Sequence, residues 1–252
     1  MKLEITVNSV TSALLAQEGG ADRIELCENF HEGGTTPGMG SIAKARECLQ
    51  VDLFVMIRPR GGDFHYSEME FEIMKKDILS VRELGVDGVV LGMLNLDGTI
   101  DRERTSELVA ISRPMQVTFH RAFDLTVDPF AALEEVIDTG IDRILTSGLA
   151  PSAPQGAAIL ATLVKLAGNR IIIMPGSGIN ENNILELCRL TRAREYHASL
   201  RTRRKSDMLF QREGIFMGDP GHSIHTYDMA SPGRISLMKK IMSSLPDMPL
   251  LS

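Results

Sequence analysis

Short apolar runs alternate with longer segments of helical periodicity along the chain. The apolar runs predict strands near residues 3–7, 23–27, 53–58, 88–92, 115–120, 143–146, 171–174 and 195–199. The segments between them predict helices near 9–18, 41–49, 67–84, 101–111, 129–139, 155–167 and 182–190. Because strands separated by helices are typical of βαβ units, we expect a parallel sheet.

A short motif that recurs along the chain narrows the fold. GADRIEL begins at residue 20, GVDGVVL at 85 and GIDRILT at 140. Each copy has the pattern of a glycine that ends a helix, a turn, an aspartate and a strand. The copies precede the second, fourth and sixth predicted strands, which is a spacing of about two βα units. Eight such units in about 200 residues predict a (β/α)8 barrel, the TIM-barrel fold.

An open, doubly wound sheet is the alternative to the barrel. No GxGxxG follows the first strand, so the dinucleotide-binding form of that fold lacks its fingerprint. After about residue 200 the alternation ends, and only one more helix is predicted, near 233–244, ahead of a proline-containing tail. We therefore predict a single α/β domain, with a barrel core at 1–200 and a C-terminal extension at 201–252 that packs on the barrel.

The parity of strand residues predicts which side chains face the barrel axis. Alternate residues of a strand point to opposite faces, and we place the apolar set of each strand against the outer helices. The inner set is then rich in ionisable groups: Glu4, Glu25, Arg58, His120, Glu195 and His197. Barrel interiors are ordinarily filled by branched apolar residues. Because burying a charge without a partner costs free energy, these groups must form ion pairs with one another or contact water or a ligand.

Two explanations of this polar lining stay open. It could be a structural network in which Arg58 neutralises Glu4 or Glu25. It could also be a catalytic site, since acid–base catalysis needs titratable groups that are held close together. In that case Glu4 or Glu25 would serve as the base, and His120 or His197 would serve as the acid.

The stretch MIRPRGGDFHYS, at 56–67, places two arginines where the third predicted strand ends. We expect Arg58 to reach toward Glu4 and Glu25 at the axis. Arg60 is expected to project at the rim of the barrel mouth. Because a guanidinium can bind a carboxylate or a phosphate through two parallel hydrogen bonds, both arginines are candidates for binding an anionic group.

Two glycine-containing turns after later strands are further candidates for an anion site. They comprise Ser147 and Gly148, and Gly176, Ser177 and Gly178. Small residues ahead of a helix expose backbone N–H groups to an anion, and barrels often bind phosphate at the loops after the seventh and eighth strands. A tight turn before a helix needs glycine in any case, so a plain turn stays an equal alternative.

The chain lacks the residues that several common catalytic mechanisms require. None of the lysines falls at the carboxyl end of a predicted strand, where a Schiff-base enzyme would need one. The chain has no HExxH, no cysteine–histidine pair at zinc spacing and no GxSxG. Acid–base chemistry on a small anionic molecule therefore explains the polar lining better than covalent catalysis does.

Composition indicates the setting in which the protein works. The net charge of −6, with three tyrosines and no tryptophan, argues against a nucleic-acid-binding protein. No apolar run approaches the ~20 residues of a membrane helix, and the N-terminus shows no signal-peptide pattern. Cys27, Cys48 and Cys188 are far apart and predict no disulfide framework. We expect a cytoplasmic protein that binds neither nucleic acid nor membrane.

Six stretches of the chain together resemble the CutC family. They are LEITVNS at 3–9, GGADRIELCENFHEGGTTPG at 19–38, MIRPRGGDFHYS at 56–67, VTFHRAFD at 117–124, ILTSG at 144–148 and PGSGI at 175–179. The resemblance spans the chain to about residue 200. It implies a single TIM-barrel domain in the cytoplasm that forms a homodimer. It also implies copper homeostasis and copper ion binding, since the family carries that name and that assignment.

In the family, copper binding is associated with cysteines at the end of the first strand and in the second-strand motif. Here the first strand ends in Thr6 and Val7, while Cys27, in IELCE, matches the second position. Cys27 is therefore the metal ligand, and copper the cofactor, that the resemblance implies.

Three hypotheses about function follow. The protein could handle copper, as the resemblance implies. It could be an isomerase, epimerase or lyase-like barrel enzyme for a small anionic carbonyl compound, with or without a phosphate. It could also be an inactive barrel that serves as a dimeric interaction platform.

Overall fold

The computed structural model describes residues 1–210, 212, 214–215 and 224–245. Eight parallel strands surround the axis of a nearly closed barrel: β1 (Lys2–Val7), β2 (Arg23–Leu26), β3 (Asp52–Met56), β4 (Gly88–Leu91), β5 (Gln116–Phe119), β6 (Arg143–Thr146), β7 (Ile172–Pro175) and β8 (Glu195–Ala198). Hydrogen-bonded neighbours run from β7 back to β1 and then to β8, which lies beside β7. The predicted TIM-barrel fold is confirmed.

The helices lie outside the strands, and their bounds agree with the predicted ones to within two residues. They are α1 (Val10–Glu18), α2 (Met39–Cys48), α3 (Glu68–Glu83), α4 (Arg102–Ser112), α5 (Pro129–Asp138), α6 (Ala157–Ala167), α7 (Ile184–Thr191) and α8 (Pro232–Ser243). Within the described ranges, none of these helices combines the length and the apolar character that crossing a membrane requires.

Local hydrogen bonds explain where the helices begin. Ser67 precedes α3, and its hydroxyl accepts a hydrogen bond from the Glu70 N–H at 3.3 Å, while the Glu70 carboxylate accepts one from the Ser67 N–H at 2.7 Å. This reciprocal arrangement is a capping box. Asp128 caps α5 by accepting the Phe130 and Ala131 N–H groups, and Pro129 fits the first helical position because its missing N–H is not needed there.

The recurring motif has the same structural role in all three copies. Asp22, Asp87 and Asp142 each accept, through Oδ2, a backbone N–H near the start of the preceding strand, at 2.7, 2.8 and 2.7 Å. These strands are β1, β3 and β5. The motif glycine has a positive φ in each copy, which a residue with a Cβ adopts less easily. The motif therefore joins each even-numbered strand from β2 to β6 to the strand before it.

The chain leaves the barrel after β8 and returns to it in α8. A hairpin of β9 (Arg201–Lys205) and β10 (Thr226–Ala230) comes first. The last helix then packs between α1 and α7, in the position of an eighth outer helix. The boundary that was predicted at residue 200 stays a prediction. Residues 211, 213, 216–223 and 246–252, which include the predicted tail, lie outside the described residues.

The buried apolar side chains of the described residues form two clusters. The larger one lies between the strands and the outer helices and takes up the outward-facing strand residues. The smaller one lies inside the barrel and comprises Cys27, Phe54, Met56 and Val90. The barrel interior therefore holds few apolar side chains, and charged groups fill much of the rest.

Candidate active site

A cavity of about 770 Å³ opens where the barrel strands end. Its wall comes from the carboxyl ends of the strands and from the loops that follow them. Among the predicted site residues, those that line it are Glu25, Cys27, Arg58, His120, Ser177, Gly178 and His197. The cavity occupies the end of the barrel at which TIM-barrel enzymes have their active sites.

His197 lies between two carboxylates at the bottom of this cavity. Its Nδ1 lies 2.7 Å from Glu4 Oε1, and its Nε2 lies 3.8 Å from Glu25 Oε2. The strand register explains the closeness, since Glu4 of β1 pairs directly with His197 of β8. Glu25 Oε1 is buried and has no hydrogen-bond partner within the described residues. Glu4 therefore binds His197 through Nδ1. His197 Nε2 and the Glu25 carboxylate remain available to contact a molecule in the cavity.

The surroundings of these three groups change their acidity. Burial raises the pKa of Glu4, but the hydrogen bond and charge of His197, together with two nearby arginines, outweigh it and bring the pKa to about 2. Burial raises the pKa of Glu25. Burial lowers the pKa of His197, but the two carboxylates overcome this effect and raise it. Glu4 is therefore ionised, whereas Glu25 and His197 keep a proton to higher pH than they would in water.

The low pKa of Glu4 predicts how stability depends on pH. Its contribution is present above its ordinary pKa of 4.5 and is lost as the pH falls toward about 2, because the unfolded chain takes up the proton first. As the pH falls from 4.5 toward about 2, we expect the free energy of unfolding to decrease less in Glu4→Gln than in the wild type. Urea unfolding at several pH values measures this difference. Glu134→Gln is the control; it removes an exposed partner of Arg170, and because solvent screens that pair it should depart from the wild type much less than Glu4→Gln does. Equal slopes for Glu4→Gln and the wild type would contradict the assignment.

Two buried arginines that were not predicted as site residues lie beneath the cavity. Arg23 Nη1 donates to Glu4 Oε2 at 3.3 Å and to Glu195 Oε2 at 2.7 Å. Arg143 Nε donates to the same Glu195 oxygen at 3.1 Å. Both guanidinium groups lie over the ring of Phe54, at 4.6 and 5.0 Å from its centroid. The inner carboxylates thus have cationic partners deep in the barrel.

This network corrects the prediction that Arg58 neutralises Glu4 or Glu25. Arg23 has the same parity as Glu25 in β2, so strand alternation alone would have placed it inside the barrel. Arg143 opens β6 and is buried as well. Both were overlooked because an arginine at the first position of a strand is more often at the surface.

Arg58 lies beyond the end of β3, which stops at Met56. Its Nη1 donates to the carbonyl oxygens of Glu32 and Gly34 at 2.5 and 2.7 Å, and its Nη2 donates to that of Gly62 at 2.8 Å. The guanidinium therefore joins the loops after β2 and β3. Within the described residues, Arg58 Nε has no hydrogen-bond partner and the guanidinium has no carboxylate partner. Arg58 thus brings an unneutralised positive charge to the cavity wall.

Arg60, the second arginine of the motif, does not line the cavity. Its Nε donates to Glu70 Oε1 at 2.6 Å, and its Nη2 donates to Asp63 Oδ1 at 2.9 Å. Further hydrogen bonds run from Arg60 to carbonyl oxygens of its own loop. The structure places Arg60 in the packing of that loop against α3, away from the position where an anion was expected.

The turn after β6 already holds a carboxylate of the chain itself. Asp124 accepts hydrogen bonds from the Ser147 N–H at 3.0 Å and from the hydroxyls of Thr146 and Ser147 at 2.5 and 3.0 Å. Arg121 Nε donates to the same carboxylate at 2.7 Å, and the Gly148 N–H donates to Thr146. The donors that were predicted to bind an anionic ligand at Ser147 and Gly148 are therefore occupied.

The turn after β7 is more open. The Gly176 N–H donates to the carbonyl oxygen of Thr146, but the N–H groups of Ser177 and Gly178 donate to no acceptor in the described part of the chain. Both residues have positive φ, at 76° and 70°, and both line the cavity. A Cβ on Gly176 would meet the end of the Leu145 side chain, which would then have to move. Free backbone donors in the cavity wall are therefore found after β7.

His120 lies at the carboxyl end of β5. Its Nδ1 accepts a hydrogen bond from the Ala122 N–H at 3.2 Å, at the start of the 3₁₀ turn Arg121–Leu125. Its Nε2 is buried and has no partner within the described residues. Burial and the charge of Arg58 lower the pKa of His120 to about 3, so the imidazole is neutral near pH 7. Of the two histidines that the sequence left open for the role of acid, only His197 has a raised pKa.

Cys27, the metal ligand implied by resemblance, lies in the cavity wall. Its Sγ lies 3.5 Å from Thr6 Oγ1 and 3.8 Å from the carbonyl oxygen of Val7. Burial and the charge of Glu25 raise the pKa of Cys27 to about 12, so the thiol is protonated near pH 7. The thioether of Met56 packs in the same inner cluster. A copper ion would have to displace the thiol proton before it could bind here.

Glu4, Glu25 and His197 also form a group that could hold a metal ion. One possible ligand atom from each lies within 4.8 Å of the others. Oxygen and imidazole ligands suit borderline and hard divalent ions better than Cu(I). The hydrogen bond between Glu4 and His197 already occupies one atom of each residue, which favours an acid–base site.

Comparisons with known proteins place the chain among a set of close relatives. A family model described as the CutC family matches residues 1–202. The family protein CutC of Chromobacterium violaceum is 48% identical over 240 residues, which cover 95% of this chain and 97% of that protein. The human copper homeostasis protein cutC homolog is 48% identical over 216 residues, 86% of this chain and 79% of the human protein.

Solved structures agree with this placement. A CutC protein from Streptococcus agalactiae is 33% identical, with a TM-score of 0.75 over 78% of this chain and 97% of that chain. Phosphoribosyl anthranilate isomerase from Thermotoga maritima superimposes with a TM-score of 0.60 over 97% of this chain at 15% identity. The second likeness shows the barrel fold alone.

Proposed function

This chain belongs to the CutC family, and from that premise we propose that it is an enzyme whose cavity performs acid–base chemistry on a small anionic carbonyl compound. The observation that carries the proposal is His197, held through Nδ1 by Glu4 while its Nε2 lies beside Glu25 in the cavity. A base, an acid and an orienting carboxylate are the parts that proton transfer requires.

The charge balance beneath the cavity supports a shared proton. The two buried arginines, which contact Glu4 and Glu195, offset the charges of those carboxylates. The pair of Glu25 and His197 then has no net charge when it carries one dissociable proton in addition to the hydrogen on His197 Nδ1. That proton can reside on His197 Nε2 or on Glu25 without a change in net charge. Because the site is buried, water does not screen a net charge there, and this balanced state is favourable.

In the proposed reaction, the Glu25 carboxylate takes a proton from the carbon next to the substrate carbonyl. The His197 imidazolium gives its Nε2 proton to the neighbouring carbon on the same face, and the hydrogen of the substrate hydroxyl passes to the former carbonyl oxygen, which completes an isomerisation. Glu25 then returns a proton to His197 across the 3.8 Å that separate them, with the product released. Glu4 keeps its hydrogen bond to Nδ1 throughout, so Nε2 is the nitrogen that exchanges protons.

An anionic group on the substrate is supported by two features of the wall. Arg58 carries a charge that no carboxylate in the described part of the chain neutralises, and the turn after β7 has free N–H donors at Ser177 and Gly178. The other arginines of the wall each lie within 4.0 Å of a carboxylate; they are Arg121, Arg201 and Arg234. A carboxylate or phosphate of the substrate is therefore expected near Arg58 and the β7 turn.

The proposal is tested by proton exchange with solvent. The protein is incubated in D2O with a panel of small hydroxycarbonyl compounds that carry a carboxylate or a phosphate, and loss of the carbon-bound proton is followed by ¹H NMR. We expect at least one compound to exchange faster with protein than without it. If no compound exchanges and none raises the melting temperature, the enzyme proposal fails and the interaction platform gains support.

Copper(I) binding is the second candidate function. It is supported by the names of the human and mouse relatives, which are copper homeostasis proteins by name, and by one thiol in the cavity wall. Cys27 and the thioether of Met56 are soft donors of the same inner cluster. Copper bound there would replace the Sγ proton, so uptake should release one proton per ion.

We expect Cys27→Ser to lose the copper that wild type retains, if copper binds at this thiol. The measurement is the copper-to-protein ratio after dialysis under reducing conditions with Cu(I). Cys188→Ser is the matched control, because that thiol is also buried but lies in α7, outside the cavity. A wild type that holds no copper, or a Cys27→Ser variant that holds as much as wild type, would contradict the copper candidate.

We propose in addition that the protein works as a homodimer in the cytoplasm. The three cysteines are free thiols, which suits a reducing compartment. The net charge of −6 supports the expectation that nucleic acid is not a partner. Analytical ultracentrifugation of the purified full chain tests the dimer.

A further inference from the structure

We propose that His120 is a fixed, neutral hydrogen-bond donor to a substrate oxygen, and that the substrate is a 2-hydroxy aldehyde or 2-hydroxy ketone whose carbonyl oxygen becomes an enolate during the reaction. This inference rests on the proposed enzymatic function and defines the substrate class of the same cavity. It separates His120 from His197, because one imidazole transfers protons and the other only donates a hydrogen bond.

The backbone decides which nitrogen of His120 carries the hydrogen. The Ala122 N–H donates to Nδ1 at 3.2 Å, and an N–H group can only donate. Nδ1 must therefore present its lone pair, which leaves the single ring hydrogen on Nε2. The opposite tautomer would bring two N–H groups together and would leave the Ala122 N–H without its acceptor.

The Nε2–H group is buried without a partner. His120 is 3% exposed and lines the cavity. No acceptor within the described residues lies in hydrogen-bond distance of Nε2. A buried donor that stays unpaired destabilises the protein, and such a group in a cavity wall is explained by an acceptor that arrives with a ligand.

Packing holds the ring in place. A Cβ on Gly92 would lie 2.5 Å from Nδ1, so the absence of a side chain there gives the imidazole its room. The ring of Phe64 packs at 4.8 Å between centroids, and Phe119 lies edge-on at 6.2 Å. These contacts hold the plane of the ring, and the hydrogen bond from the Ala122 N–H to Nδ1 keeps Nε2 as the nitrogen that faces the cavity. A donor fixed in this way needs no reorganisation when charge develops in front of it.

The charges around the ring keep it neutral. Arg58 is the charged group that acts on His120, and together with burial it lowers the pKa to about 3. Phe64, Phe119 and the backbone at Gly92 lie against the ring, and none of these three titrates. A group that cannot take up a proton at neutral pH cannot act as a general base there. A neutral N–H donor still stabilises a negatively charged oxygen.

The two histidines then predict the kind of substrate. Glu25 and His197 can move a proton between adjacent carbons only if the intermediate is stabilised, and the intermediate formed by proton removal next to a carbonyl is an enolate. The enolate oxygen needs a donor that does not lose its proton to it. His120 Nε2–H meets that need, so the carbonyl oxygen is expected at His120 and the acidic carbon at Glu25.

The first test needs no substrate. In protein labelled with ¹⁵N-histidine, long-range ¹H–¹⁵N NMR spectra between about pH 5 and 9 should show His120 as the neutral Nε2–H tautomer throughout, while the His197 signals change with pH. A His120 signal that shows protonation in this range, or the Nδ1–H tautomer, would overturn the proposal. This outcome is independent of whether any compound undergoes exchange.

The second test uses glycolohydroxamate, a small planar anion that mimics an enediolate. We expect calorimetric binding to weaken about 10- to 100-fold in His120→Phe, which removes the donor, and to stay within about threefold in His120→Gln, which keeps one. His65→Phe is the control, because His65 bonds to Leu94 outside the cavity wall. Equal affinity of His120→Phe and wild type, or no binding to wild type, would overturn the proposal.

Failure of this inference can be told apart from failure of the proposed function. If the exchange panel identifies a substrate and His120→Phe catalyses its exchange at the wild-type rate, the enzyme stands and the role of His120 is wrong. If no compound exchanges while His120 has the predicted tautomer and binds the hydroxamate, the donor stands and the acid–base proposal is wrong.

Discussion

Replacing Arg23 by methionine is expected to destabilise the barrel by about 3–5 kcal/mol, the range for removing one partner from a buried ion pair. Arg23 is 1% exposed and bridges Glu4 and Glu195 at 3.3 and 2.7 Å. Without Arg23, the buried carboxylates of Glu4 and Glu195 keep fewer positively charged partners, and their charges are less well neutralised. Methionine keeps much of the packing over Phe54, so the loss reports chiefly on charge.

The free energy of unfolding, from urea titration at pH 7, measures this effect. Arg170→Met is the matched control, since Arg170 pairs with Glu134 at the surface, where solvent screens the pair and its loss has little effect on stability. Adding Glu4→Gln to Arg23→Met should restore part of the stability, because it removes a buried charge that lost its partner. A loss below about 1 kcal/mol in Arg23→Met would show that the network does not hold the barrel interior together.

Replacing His197 by asparagine is expected to slow the proposed proton exchange by about 10²- to 10⁴-fold, the usual contribution of one general acid or base. The asparagine amide can donate to Glu4 as Nδ1 does, so the floor of the cavity keeps its hydrogen bond. The group that is lost is the titratable Nε2, which lies 3.8 Å from Glu25. The substitution therefore separates proton transfer from structure.

The rate of carbon–deuterium exchange is measured with the compound that the panel identifies, together with the melting temperature. His65→Asn serves as the control, because His65 lies outside the cavity wall. The wild-type rate should depend on pH through the coupled titration of Glu25 and His197, and this dependence should change in the variant. Exchange at the wild-type rate in His197→Asn would remove His197 from the proposed mechanism.

The two variants address two layers of the barrel interior. Arg23, Arg143 and Glu195 lie in the deeper layer and contact no part of the cavity. Glu25 and His197 lie in the upper layer and meet the cavity directly. Glu4 joins the layers, since one oxygen binds Arg23 and the other binds His197. A change in the deeper layer should therefore alter stability and the pKa of His197 together.

The fold could be predicted in detail because its signals are local. Alternating apolar runs and helical periods depend on neighbouring residues, and each βα unit buries its own apolar face against the next. The aspartate of each recurring motif even acts over short range, since it binds the strand immediately before its own. The hairpin of β9 and β10 was missed, because the strongly basic RTRRK lacks the alternation that predicts a strand.

The candidate site could be predicted only in part. The alternation of side chains between the two faces of each strand predicted that Glu4, Glu25 and His197 point into the barrel. The register of β1 with β2 and β8 brings these three residues together. The partners of Arg58 could not be predicted, because its hydrogen bonds go to carbonyl oxygens of loops whose path has no sequence period. The same holds for Asp124, which occupies a turn from a different βα unit.

The sequence by itself determined the order of strands and helices, the barrel, the family and part of the set of ionisable side chains that point inward. These follow from periodicity, motifs and parity, which act along the chain. Only the tertiary structure decided which charges meet: Arg23 and Arg143 neutralise the inner carboxylates, and His197, not His120, lies between Glu4 and Glu25. The reason is that pKa and hydrogen-bond partners depend on distances of a few ångströms between residues far apart in sequence, and only packing sets those distances.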